Sequence, residues 1–222
     1  LHISILNPER TIHHVLDKKI SMRGAVHSKF GIDVIPGNFA YNSKLGYLKL
    51  KDHIKKVKND YDFVILDSSP SSNEELLSTI LASDSLFLVT TPDYPTISCS
   101  LKTAKLAKQR GHPVEGIIIN KVRDPKYEIN VEAIERAIGI PVVAKISDDK
   151  EAARALFYHL PVSMYNKHSP IAREINNLGA ALTNKKEKRS LFKTIFGFPL
   201  NKEEVNRSIL KEEFYKSYFW EN

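Results

Sequence analysis

Asp67 is the first candidate for chemistry, because it directly follows four apolar residues, Phe63–Leu66, and precedes a Ser-Ser-Pro-Ser turn. Such a run predicts a buried parallel strand with the carboxylate at its carboxyl end, where ligands bind in open α/β sheets. A carboxylate there can hold Mg²⁺ through its water shell beside a nucleotide phosphate, or it can simply cap the next helix. Asp67 is therefore the candidate catalytic and magnesium-organising residue.

Asn120 is the second candidate, because it follows another apolar run, residues 116–119, and is predicted to end a strand. A carboxamide both donates and accepts hydrogen bonds, so it can bind the edge of adenine through two of them. The alternative is an asparagine that makes the turn from strand to loop. The residues alone leave both interpretations open.

The elements that must position these residues alternate along residues 1–183. Apolar runs predict strands at 32–36, 63–66, 85–90, 116–119 and 142–146. Helical patterns separate them at 45–57, 74–82, 97–110, 131–138, 149–157 and 171–182. This alternation predicts an α/β fold with right-handed βαβ units and a doubly wound, mostly parallel sheet covered by helices on both faces.

A basic segment near the carboxyl terminus carries more than half of the net charge. Residues 185–193 contain five basic residues and one acidic residue, a local charge of +4 against +7 for the whole chain. Apolar residues at helical spacing alternate with cations there, which suits a helix lying in the headgroup layer of an anionic membrane. The candidate membrane residues are Leu191, Phe192, Ile195, Phe196, Lys188, Arg189 and Lys193. Packing onto the chain's own domain, or nucleic-acid binding through the lysines, are the alternatives.

In their order along the chain, four segments resemble the MinD/ParA branch of the deviant-Walker P-loop ATPases, and most of all archaeal MinD-type cell-division ATPases. Residues 61–70 resemble the Walker B and switch II region, and residues 86–95 the strand and loop that follow it. Residues 116–123 resemble the base-recognition strand, and residues 141–162 the last strand, loop and helix. The resemblance covers most of residues 1–183.

The resemblance implies an ATP-dependent switch that uses ATP and Mg²⁺, forms a homodimer on ATP and cycles on an anionic membrane surface to regulate cell division or positioning. Asp67 takes the Walker B role, whereas Asn120 and Lys121 lie on the adenine side. The loop at Ser147 and Asp148 covers the other side of the base through backbone groups. Relatives often have proline where Ser147 stands, and either loop residue can also be the N-cap of the next helix.

The phosphate-binding loop of this family has no counterpart here, because no Gly-Lys-Ser/Thr triplet occurs in the 222 residues. The resemblance places that loop before Leu1, so we expect residues 1–183 to be an N-terminally incomplete nucleotide-binding domain. Residues 184–198 are expected to be the membrane-targeting segment and residues 199–222 a helical tail. We expect the chain alone not to hydrolyse ATP, and we expect residues 63–66 to form an unpaired apolar edge.

Composition narrows the remaining possibilities. No apolar run approaches the ~18–20 residues of a membrane span. The single cysteine, Cys99, excludes an internal disulfide and a Cys-only metal site, and fits a reducing, cytoplasmic compartment. The basic segment and the resemblance imply a position at the inner face of the cell membrane. His13 and His14 are adjacent, so they are predicted to be surface or partly packed residues. A non-catalytic interaction module and a ParA-like DNA-partition ATPase are the alternative functions, and an unidentified protein regulator is the expected partner.

Overall fold

The computed structural model describes residues 10–38, 41, 45–68, 73–124 and 126–183. The chain divides into two compact units. The first comprises residues up to 86 together with 109–112, and the second comprises residues 87–108 together with those from 113 onward. Each unit is therefore described by itself.

The first unit combines short helices with a β-hairpin. Its elements are α1 (Ile12–Leu16), β1 (His27–Lys29), β2 (Ile32–Val34), α2 (Leu50–Lys55) and α3 (Glu74–Ala82), with 3₁₀ turns at Arg23–Ala25, Tyr47–Lys49 and Lys58–Asp60. β1 and β2 pair antiparallel, with His27 opposite Val34. A core cluster holds this unit together, and it includes Val15, Leu16, Ala25, Leu50, Ile54 and Val57.

The second unit contains a parallel sheet of three strands in the order β3-β4-β5. The strands are β3 (Phe87–Thr90), β4 (Gly116–Val122) and β5 (Val142–Ser147). The helices are α4 (Tyr94–Gln109), α5 (Val131–Ile138), α6 (Lys150–Phe157), α7 (Val162–Tyr165) and α8 (Pro170–Thr183). This order of strands and helices confirms the predicted α/β fold.

Buried isoleucines explain why β4 lies in the middle of this sheet. Ile117 and Ile119 are 0% and 2% exposed, and the strand pairs on both edges. Asn130 begins α5 by accepting a hydrogen bond from the Ala133 N–H, and Gly139 ends it with φ of 73°. That left-handed angle costs glycine little, which is why the sequence marks this helix end so clearly.

The predicted buried strand at residues 63–66 is wrong. These residues form no strand, and Phe63 and Ile65 are 56% and 89% exposed. An extended segment becomes a strand only when a neighbouring backbone completes its hydrogen bonds, and no described strand pairs with this one. Leu66 alone packs partly against the core of the first unit.

The predicted and the observed strands differ in two further respects, the end of β4 and the partner of β2. β4 continues to Val122, so Asn120 lies within the strand and does not end it. The ladder to β5 is irregular between Ile119 and Val122, which lets the strand pass this point with a shift in register. The predicted strand at 32–36 exists as β2, but its partner is β1 in a hairpin that the apolar pattern did not indicate.

We expect Gly116→Ala to lower the free energy of unfolding by about 1–3 kcal/mol, because overpacking strains a filled core. A Cβ at this position would lie 2.5 and 2.9 Å from the two γ-methyl carbons of Val143. Gly179→Ala is the matched control, since a Cβ there meets no atom within 4 Å and alanine favours the helix. Urea unfolding measures both, and an unchanged Gly116→Ala stability would contradict this packing.

Because the His13 imidazole is partly buried, we expect the free energy of unfolding to depend on pH. Burial lowers the pKa of His13, and its Nδ1 accepts a hydrogen bond from the Asn38 N–H at 2.9 Å. The unfolded chain therefore takes up this proton at a higher pH than the folded chain does. Stability should be fully present above the unfolded pKa of about 6.5 and should fall as the pH drops below it.

Replacing His13 by asparagine keeps an acceptor for the Asn38 N–H but removes the titration. Chemical unfolding between pH 7.5 and 5.5 should show a steeper loss of stability in the natural chain than in His13→Asn. Equal slopes would show that this imidazole does not contribute the expected proton linkage.

Candidate functional site

A groove of about 330 Å³ lies in the second unit, at the carboxyl ends of β4 and β5. Its polar end is formed by Asn120, Lys121, Ser147 and Asp148. Its apolar wall comes from α6, α7, α8 and the residues between them, and consists of Ala152, Ala155, Leu156, Leu160, Val162, Ile171 and Ile175 together with Ile146. The structure thus brings together all four residues that the sequence assigned to the base side.

Asn120 is held by the backbone beside it. Its Oδ1 accepts a hydrogen bond from the Lys121 N–H at 2.9 Å. Lys121 has φ of 56°, a left-handed angle that is uncommon for a residue with a Cβ. The turn of the backbone and the carboxamide therefore stabilise each other, and the two hydrogens on the Asn120 amide nitrogen are not used by this bond.

Ser147 is held by a carboxylate on a different element. Its backbone N–H donates to Glu174 Oε2, and its hydroxyl donates to Glu174 Oε1, each at 2.7 Å. Glu174 belongs to α8, 27 residues away in sequence. This two-point contact ties the loop after β5 to the helix that forms part of the groove wall.

Asp148 is held from the side of β4. Its N–H donates to the Val122 carbonyl at 2.8 Å, which extends the parallel ladder by one bond. Its Oδ2 accepts from Arg123 Nε at 2.5 Å, and this hydrogen bond raises the pKa of the Arg123 guanidinium. The two strand ends are therefore joined by a backbone bond and by an ion pair.

The helix after this loop begins at Asp149. The Asp149 carboxylate accepts from the Glu151 N–H at 2.9 Å and is the N-cap of α6. The alternative in which Ser147 or Asp148 serves as that cap is wrong, because their side chains are engaged by Glu174 and Arg123. Capping by Asp149 leaves the two preceding residues at the polar end of the groove.

Asp67 belongs to the first unit, whereas the groove belongs to the second. Asp67 is exposed and directly follows the apolar segment at residues 63–66. Within the described residues, no cluster of three His, Cys, Asp or Glu residues is arranged to hold a metal. His13 and His14 instead pack against the ring of Tyr41, with centroids 5.5 and 4.7 Å away.

The predicted membrane residues lie outside the described residues. They are Leu191, Phe192, Ile195, Phe196, Lys188, Arg189 and Lys193. Of the helices that the structure describes, none combines the length and apolar character of a bilayer span. The membrane assignment therefore stays a prediction.

Glu174 and the apolar wall were missed by the sequence analysis. Ile171 and Ile175 are four residues apart and lie on the groove side of α8, with Glu174 beside them. A carboxylate next to an apolar stripe on a helix is a usable signal for a buried contact. Its partner, however, is 27 residues away and cannot be identified from spacing.

The groove fits the base of a purine nucleotide. A volume of a few hundred Å³ with mostly apolar walls and a few convergent polar groups is the usual form of a small-molecule site. Flat aromatic faces suit the side chains of Leu156, Leu160 and Ile175, while ring-edge hydrogen bonds suit Asn120. A phosphate-gripping Gly-Lys-Ser/Thr loop does not occur in the sequence, so the fit concerns the base alone.

Comparisons with known proteins identify the family and the fold of this chain. The family model described as AAA domain matches residues 40–155, more than half of the chain. An uncharacterized ATP-binding protein of Methanocaldococcus jannaschii is 26% identical over 210 residues, which cover 92% of this chain and 74% of the relative.

Solved structures with the same fold include two named ATPases. The septum site-determining protein MinD of Pyrococcus horikoshii, in complex with Mg-ADP, has a TM-score of 0.71 and 23% identity, covering 84% of this chain and 79% of its own. A ParA family ATPase of Chlorobium tepidum has a TM-score of 0.64 and 23% identity, covering 78% and 74%. The chain therefore belongs to the AAA domain family and has the fold of the MinD/ParA ATPases.

Proposed function

We propose that this protein binds an adenine nucleotide through the groove at β4 and β5 and acts as a MinD/ParA-type ATP-dependent switch. One observation carries the proposal: Asn120 and the Ser147-Asp148 loop converge at the carboxyl ends of two adjacent parallel strands. Ligands of open α/β sheets bind at this edge, because loops and polar strand ends meet there. The family and the fold support the proposed class of activity, and the groove supports the proposed binding of the base.

Adenine matches the chemistry of the groove. Its edge offers an amino group next to a ring nitrogen, which a carboxamide complements with one acceptor and one donor. Asn120 Oδ1 has a second lone pair beyond the one that accepts from Lys121, and its Nδ2 supplies the donor. The apolar wall removes the faces of the ring from water, which stabilises binding roughly in proportion to the area buried.

Asp67 of the first unit remains the proposed magnesium-organising residue. An exposed carboxylate after an apolar segment can hold Mg²⁺ through water, and the metal supplies charge neutralisation for phosphates. The 222 residues contain no Gly-Lys-Ser/Thr triplet, so the proposal made from the groove concerns binding of the base.

The composition of the carboxyl-terminal segment and the named neighbours in fold support the cellular role that we propose. One neighbour in fold is a MinC:MinD cell division protein complex of Aquifex aeolicus, and another is a septum site-determining protein. We extend this to a switch that forms a homodimer on ATP, associates with the anionic inner face of the membrane through residues 184–198, and engages a protein regulator of cell division or positioning.

Adenosine is the probe that tests the base site, because its affinity contains no contribution from phosphates. NMR titration of the 222-residue chain should show tighter binding of adenosine than of guanosine. Asn120→Ala should weaken adenosine binding by about 1–3 kcal/mol, since the polar edge of the base is left without its partner.

Asn177→Ala is the matched control for that experiment. Asn177 is an exposed amide on α8 that lines a separate cavity beside β5. Its replacement should leave adenosine affinity unchanged. Equal affinity of the natural chain for adenosine and guanosine, or an Asn120→Ala variant that binds as well as the natural chain, would rule out the adenine site.

Membrane association is tested by the double variant Phe192→Glu, Ile195→Glu. Co-sedimentation with anionic vesicles should be lost, because two buried apolar contacts are replaced by charges that the surface repels. Higher salt or neutral lipid should weaken the natural chain, since each nearby lysine contributes about 1 kcal/mol at an anionic surface.

A control pair in the tail, Val205→Glu with Ile209→Glu, separates the two apolar stretches that follow the described residues. This pair should retain vesicle binding. If Phe192→Glu, Ile195→Glu instead lowers the unfolding temperature of the α/β body, the segment belongs to the core and the membrane assignment is wrong.

A further inference from the structure

The contact between Ser147 and Glu174 fixes the direction of one hydrogen bond at the polar end of the groove. An ionised carboxylate only accepts, so both the N–H and the hydroxyl of Ser147 must donate to it. The single hydroxyl hydrogen of Ser147 is therefore used by Glu174. What Ser147 Oγ can still offer a ligand is a lone pair and not a hydrogen.

We propose that Glu174 sets the hydrogen-bond polarity of the Ser147 hydroxyl and thereby makes the groove select a base with an amino group over one with an oxo group. This inference rests on the proposed base site. Glu174 is a positioning residue in it, because it acts on the ligand through Ser147. An amino group donates to the Ser147 lone pair, whereas an oxo group places its own acceptor against that lone pair, and two acceptors that face each other without a hydrogen between them are unfavourable.

The surroundings keep Ser147 in this arrangement. On one side the loop is fixed by the Asp148 N–H bond to Val122 and by the Asp148–Arg123 ion pair. On the other side, α8 places Glu174 against the loop. Ser147 has little freedom to turn its hydroxyl to a ligand without losing the contact with Glu174.

The same helix carries the selecting carboxylate and part of the wall that holds the ring. Ile171 and Ile175 lie one turn apart on α8, and Glu174 is adjacent to Ile175. Both isoleucines line the groove beside Ser147. A ring packed against this stretch of α8 would therefore bring its edge to the residue that Glu174 orients.

Adenosine and inosine are the ligand pair that tests the inference. They differ at the base edge, where an amino group and a bare ring nitrogen are replaced by an oxo group and a protonated ring nitrogen. The measurement is the ratio of their dissociation constants for the full 222-residue chain, obtained by NMR titration. The natural chain should prefer adenosine.

Glu174→Gln is the decisive variant, because it retains two contacts to Ser147 while reversing one of them. The glutamine oxygen accepts from the Ser147 N–H, so its amide nitrogen faces Ser147 Oγ and donates to it. The hydroxyl hydrogen is then released towards the groove. The preference for adenosine over inosine should fall by about tenfold, the value of one hydrogen bond of ordinary strength.

Two further variants show whether the effect passes through Ser147. Ser147→Ala should by itself lower the preference, and adding Glu174→Gln to it should change the ratio no further. Arg173→Gln is the control, because it removes the charge of an exposed residue on the same helix. This variant should leave the ratio of dissociation constants at its natural value.

The outcomes separate this inference from the proposed function. If the natural chain binds neither nucleoside, the base site itself is wrong, and the inference falls with it. If adenosine binds and Asn120→Ala weakens it, but Glu174→Gln leaves the ratio unchanged, the base site stands and the role of Glu174 is overturned. A Glu174→Gln effect that persists in the Ser147→Ala background would also overturn it. Should Glu174→Gln fail to fold, an unchanged ratio in Ser147→Ala would decide against the proposal.

Discussion

Pairing of β4 on both of its edges is the constraint on which the groove depends. Parallel pairing with β3 and β5 places the carboxyl ends of all three strands at one edge of the sheet. β4 delivers Asn120 there, and β5 ends at Ser147, which is paired with Val122. Buried isoleucines hold β4 between its two neighbours, and the ladder to β5 shifts register between Ile119 and Val122, where Asn120 lies.

The polar end of the groove is built from side chains that satisfy backbone groups. Asn120 accepts from Lys121, Glu174 accepts from Ser147, and each contact consumes a backbone N–H that a loop would otherwise leave to water. A site assembled in this way is rigid before a ligand arrives. Preorganisation of this kind lowers the entropy that binding must overcome.

Sequence reasoning located the elements whose ends are marked by particular residue types. The α5 helix begins after Asn130 and ends at Gly139, and both boundaries are readable because capping and left-handed angles favour particular residues. The same reasoning failed at residues 63–66, since an apolar run shows only that burial is favourable and not that a partner strand is present. Sequence reasoning missed Glu174 for a related reason, because the partner of this carboxylate lies far away in sequence. Asn120 lines the groove, but it lies inside β4 next to a register irregularity that no residue type signals.

The exposed apolar segment at residues 63–66 has a consequence for how the protein behaves in solution. Ile65 is 89% exposed and Phe63 is 56% exposed, in a segment that pairs with no described strand. Exposed apolar segments that lack a strand partner are sites of association with other molecules. Such encounters are bimolecular, so their rate rises with the square of the protein concentration, whereas folding of a single chain is independent of it. Dilution would therefore favour the monomer, and a high protein concentration would favour association between copies.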